Sequence, residues 1–78
     1  MSSNIQFKEA FARKMIQLRK NKDVTQGELA AAIGIPRNTY AAYEERRSKP
    51  GLPVLKKLAE YYGQTLDDLV NTASATKA

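Results

Sequence analysis

Apolar residues recur along this chain at steps of three and four, the period of an α-helix. Phe7, Phe11, Met15 and Leu18 form the first stripe and predict a helix from near Ser2–Asn4 to about Asn21. Ile16 falls off that stripe, half exposed, where it would cover other surface or a partner. Leu29, Ala30 and Ile33 share one face of a second, shorter helix, and Tyr40, Tyr43 and Glu44 share one face of a third. Leu52, Leu55, Leu58, Ala59 and Tyr62 point inward from a fourth, which runs from about Leu52 to Tyr62. Leu66, Leu69 and Val70 make a short fifth. The expected fold is all-α, a compact five-helix bundle.

Polar residues and helix breakers set the boundaries. Asn21, Lys22 and Asp23 make a polar turn, and Val24 stands before the second helix as a hydrophobic staple. The Thr25 hydroxyl caps that helix, and Glu28 three residues on completes a capping box. Gly34 stands where the helix must stop, because glycine takes the left-handed conformation at little cost. Ile35 plugs the turn, and Pro36 fits the first turn of the next helix, where its missing N–H is not needed. The third helix should end around Glu45 or Arg46, before the basic loop EERRSKPG with Pro50 and Gly51 as breakers. Pro53 is tolerated in a first turn, Gly63 ends the fourth helix, and Thr65 with Asp68 repeats the capping box with a shorter acid. Residues 1–70 are read as one domain. Residues 71–78, NTASATKA, are small and polar without apolar period, and are expected to be disordered. A longer parent protein is also compatible with such a tail.

The chain of 78 residues has room for one core. It has no cysteine, hence no disulfide or thiolate metal site, and no apolar run near the ~20 residues that span a bilayer. The N-terminal stretch is too polar for a signal peptide. A soluble, cytoplasmic protein is the expectation. Net charge is +5, unevenly placed. Residues 1–24 and 37–57 each carry six basic and two acidic side chains, whereas 58–78 carry one basic and three acidic. Positive charge therefore flanks the third helix, as a polyanion-binding face would require. A merely solvated basic surface is the plainer alternative.

TQGELAAAIGIPRNTYAAYE, residues 25–44, is the pattern of a helix-turn-helix: a capped helix, a glycine turn, and a second helix presented outward. With LRKNKDV before it, and KPGLPVLKKLAEYYG and TLDDL after it, the chain resembles the phage lambda repressor and Cro (XRE) family over roughly Phe11 to Val70. Two positions depart from the family pattern. Arg46 stands where relatives place glycine, which implies either an unfavourable backbone angle or, the favoured expectation, a third helix longer by a residue or two. Gln64 stands where an aliphatic residue is usual.

The resemblance implies binding of double-stranded DNA by a transcriptional repressor. In such proteins the start of the second helix of the motif meets base edges in the major groove. Here that start is Arg37, Asn38 and Thr39, with Ala42 one turn beyond Asn38 to meet a thymine methyl. Arginine suits guanine O6 and N7, and asparagine suits adenine N6 and N7. Gln26 would touch the DNA backbone and brace side chains of the reading helix. Arg13, Lys14, Arg46, Arg47, Ser48 and Lys49 are phosphate candidates, which set register without reading sequence. For each, a plain surface residue is the alternative.

Relatives also imply a structural ion pair between Arg19 and Glu44, orienting the reading helix against the first. Tyr40, Tyr43 and Tyr62 fall at core spacing, with hydroxyls expected at the rim, and Tyr61 is assigned to the surface. One domain buries little DNA surface, so a homodimer is expected, at least on a palindromic operator. Tyr61, Leu66, Leu69 and Val70 are its interface candidates, at the end without positive charge. An enzyme is not expected. Histidine and cysteine are absent, adjacent Asp67 and Asp68 diverge on a helix, and no phosphate loop or metal cluster appears, so no cofactor or metal is expected. An antitoxin or a protein-interaction module on the same fold is the rival reading, and RNA binding is weaker for want of an aromatic platform.

Overall fold

The chain is described by a computed structural model that covers the backbone of residues 3–71 and the side chains of residues 7–70. Five helices follow one another: α1 (Ser3–Lys22), α2 (Gln26–Ile33), α3 (Arg37–Glu44), α4 (Leu52–Tyr62) and α5 (Leu66–Asn71). The tail expected to be disordered lies outside the described residues, except Asn71, which ends α5.

Local chemistry explains the boundaries. Glu28 N–H donates to Thr25 Oγ1 at 3.0 Å and Thr25 N–H donates to Glu28 Oε1 at 2.8 Å, so the capping box is closed in both directions. Thr65 and Asp68 form the second box, with bonds of 3.0 and 3.4 Å. At the far end of α2, Gly34 takes φ 79, Gly34 N–H donates to Ala31 O and Ile35 N–H to Ala30 O. This paired closure turns the chain sharply and lets α3 begin two residues later.

The same closure ends α1, α3 and α4, with Asp23 (φ 61), Arg46 (φ 66) and Gly63 (φ 66) as the left-handed residues. Arg46 N–H donates to Tyr43 O and Arg47 N–H to Ala42 O. The third helix is therefore not extended. It ends at Glu44, and Arg46 accepts the backbone angle that glycine would adopt more cheaply.

The core is one cluster. Phe11 and Met15 of α1, Leu29, Ala30 and Ile33 of α2, Tyr40 and Tyr43 of α3, Leu58 and Ala59 of α4, and Leu69 of α5 are buried together. Helix α1 packs on α3 and α5, α2 on α3 and α4, and α4 on α5. Phe7 and Leu18 extend the α1 stripe at its partly buried ends, and Phe7 stacks on Phe11 at 5.3 Å. Ala12, which the stripe omitted, is fully buried beside Phe11. Leu52 corrects the α4 stripe: it is 56% exposed, the exposed large apolar residue among those described. It opens α4, and Val54 and Leu55 of the same turn pack against the core instead.

Candidate nucleic-acid interface

The turn at Gly34 brings the start of α3 to the surface beside the start of α2. Arg37, Asn38 and Thr39 are all exposed, whereas Tyr40 behind them is fully buried and anchors the helix. The first three positions of α3 are thus free to meet a ligand while the rest of it is core. Ala42, one turn beyond Asn38, is 8% exposed, far less than the three residues before Tyr40.

A buried carboxylate holds this arrangement. Glu44, at the end of α3, is 6% exposed and accepts four hydrogen bonds. Arg19 of α1 donates twice, Nε to Oε2 at 2.7 Å and Nη2 to Oε1 at 3.1 Å. Gln26 Nε2 donates to Oε1 at 2.9 Å, and the Tyr40 hydroxyl donates to Oε2 at 2.6 Å. Arg19 Nη1 also donates to Val24 O at 2.9 Å, tying in the turn between α1 and α2. The expected pair is therefore present and is the centre of a network over three helices. Burial alone would raise the Glu44 pKa. The bonds from Arg19, Tyr40 and Gln26 outweigh it and hold the carboxyl below its usual range. The Arg19 guanidinium is held charged by its bonds to Glu44. The Tyr40 hydroxyl is not at the rim: burial, then its bond to the Glu44 carboxylate, raises its pKa strongly. Tyr62 is also tucked in. Burial and the neighbouring Tyr61 push it up to about 12, and its hydroxyl has no partner.

Gln26 links this network to the surface. Its Nε2 faces Glu44, which can only accept, so its Oε1 faces outward and accepts from Arg37 Nη2 at 3.3 Å. The N–H groups of Gln26 and Gly27 open the first turn of α2, where a helix leaves such donors without internal partners. These donors and Arg37 stand side by side at an anion-favouring helix start.

The phosphate candidates divide. Arg13, Arg46 and Arg47 are exposed, and each meets a carboxylate. Arg46 Nε lies 2.8 Å from Glu9 Oε1, Arg13 Nη2 lies 3.5 Å from Glu9 Oε2, and Arg47 Nη2 lies 2.7 Å from Glu45 Oε1. Lys49 Nζ sits 6.0 Å over the Phe7 ring, and Lys14 and Ser48 are half-buried. The sequence does not mark Glu9 and Glu45 as partners of these arginines. The Glu9–Arg13 spacing of four is a visible signal, but Glu9 and Arg46 are 37 positions apart, and only the fold joins them.

Among the interface candidates, Tyr61, Leu66 and Val70 are half-buried, with Lys22 Nζ 5.0 Å over the Tyr61 ring. Leu69 is corrected: it is fully buried within the core of a single chain and offers no surface to a second copy. Among the described residues no group of acidic residues is placed to hold a metal ion, and no helix is long and apolar enough to cross a membrane.

A family model described as helix-turn-helix matches residues 15–69. The transcriptional repressor RstR of the cryptic phage CTXphi in Vibrio cholerae is 41% identical over 61 residues, covering 78% of this chain and 55% of that protein. Two regulators of Bacillus subtilis also match over 57 residues. They are the uncharacterized HTH-type transcriptional regulator YobD, at 37% identity (73% of this chain, 51% of that one), and AnsR, at 35% (73% and 49%). The chain spans about half the length of these curated relatives. No solved structure matches at the same stringency.

Proposed function

Because the chain belongs to the XRE-type helix-turn-helix family, we propose that it binds double-stranded DNA in a sequence-specific way and acts as a transcriptional repressor. The observation that carries this is the exposed trio Arg37, Asn38 and Thr39 on a helix whose remainder is core. Helix α3 enters the major groove by its N-terminal turn. Arg37 bonds a guanine edge and Asn38 an adenine edge, with Thr39 beside them. Gln26 braces Arg37, and the first-turn N–H groups of α2 meet a phosphate. The loop from Arg46 to Lys49, with Arg13 and Lys14 on α1, grips the DNA backbone.

Two copies bind one palindromic operator, their reading helices about 34 Å apart, one turn of DNA. Tyr61, Leu66 and Val70 form the contact between copies. Selection of duplexes from a random pool tests the reading. An enriched palindrome is the expected result. A pool that stays random after repeated rounds, with the chain folded, overturns it in favour of a protein partner.

A further inference from the structure

We infer that Glu9 and Glu45 compete with DNA phosphate for the arginines of the backbone grip, and so set how strongly this domain holds DNA of any sequence. This rests on the DNA-binding reading above. Three observations carry it.

First, Arg13, Arg46 and Arg47 are each held by one of only two carboxylates, and Glu9 alone bridges two of them. Arg47 reaches Glu45 Oε1 with both Nε and Nη2, at 2.9 and 2.7 Å. Second, these pairs are open to solvent, with side chains 40–63% exposed. Exposed pairs are weak and readily exchanged, so they add little to the fold and are displaceable by a phosphate oxygen. Third, Arg46 holds its guanidinium there from a left-handed backbone position that side chains rarely adopt.

The consequence is electrostatic. On DNA, each arginine that turns to phosphate releases counterions from the duplex but leaves its carboxylate uncompensated. Removing the carboxylate removes that opposition. Because phosphate contacts carry no sequence information, the gain falls on consensus and random duplexes alike.

The test is binding of both duplexes by the full chain across a salt series. The variants are Glu9→Gln, Glu45→Gln, and Glu60→Gln as a control. Glu60 lies on α4, next to Tyr61 and near Ala32 of α2, outside this cluster, and its replacement changes net charge equally. Glu9→Gln is expected to bind both duplexes about fivefold tighter at low salt, with a steeper salt dependence and the same preferred bases. Glu60→Gln is expected to gain less than about twofold. In an Arg13→Ala/Arg46→Ala background the Glu9→Gln gain disappears. Equal gains from Glu9→Gln and Glu60→Gln, or a gain that survives loss of both arginines, overturns the inference while leaving DNA binding intact. A wild-type chain that binds neither duplex overturns the DNA-binding reading itself.

Discussion

Arg19 and Glu44 meet as a two-pronged pair, Nε to Oε2 at 2.7 Å and Nη2 to Oε1 at 3.1 Å, with the Arg19 side chain 16% exposed and that of Glu44 5%. The pair fixes the end of α3 to α1, and through Gln26 it reaches the start of α2. Losing one partner leaves the other charge stranded in a dry place, a cost of about 3 kcal/mol that the intact pair need not repay as net stability. Glu44→Gln should lower the thermal midpoint by roughly 10 °C or more in a domain this small. An unchanged melt would show that the pair is idle.

Acid should unfold the protein through the same group. The Glu44 carboxyl titrates lower in the fold than the ordinary 4.5, so its contribution is present above that value and lost as pH falls through the folded pKa. The wild type is expected to lose stability steeply below pH 4.5, and Glu44→Gln to show a shallower acid limb. At the other end, Tyr62 is raised from 10.0 to about 12, so its neutral form favours the fold up to pH 10 and that support fades between 10 and 12. With no histidine, midpoints between these limbs should be flat. Melting curves across pH check all three statements.

Arg46→Gly should separate stability from binding. Glycine relieves the left-handed angle, a gain of about 1 kcal/mol, offset in part by the exposed contact to Glu9. The melting point should rise by a few degrees while DNA affinity falls at low salt and the salt dependence becomes shallower by about one unit. A variant that melts lower would mean the Glu9 contact outweighs the strain.

Gln64 offers a gain with no such conflict. It follows the left-handed Gly63 as Ile35 follows Gly34 and Val24 follows Asp23, and in that place an aliphatic side chain packs back onto the helix. Gln64 Oε1 is instead buried without a partner. Gln64→Val should stabilise by about 1 kcal/mol, measured by denaturant midpoint, with DNA binding unchanged.

Much of this fold can be read from the sequence because its signals are local. Thr25 answers Glu28 three positions on, Gly34 and Pro36 stand two apart, and the helices begin and end beside them. The departures arise where distant parts meet. Nothing within the α4 pattern tells that Leu52 stands in water while Val54 and Leu55 meet the core. Periodicity places Leu69 on a face but cannot say that it is sealed in the same core as Phe11 and Leu58. Ala42 has the right helical phase for the groove, yet its exposure depends on the side chains around it. The Tyr40–Glu44 bond lies at a spacing of four and was accessible, but a tyrosine hydroxyl gives no hint of depth until the carboxylate beside it is known to be buried.

The central claim is that the first turn of α3 reads bases. Its most direct measurement is the affinity of Arg37→Ala for the selected duplex and for a random one, each over a salt series. Loss of about 1–3 kcal/mol on the selected duplex alone, with little change on the random one and an unaltered salt dependence, is the predicted result. An equal loss on both duplexes, with a shallower salt dependence, would contradict it and leave Arg37 a phosphate contact.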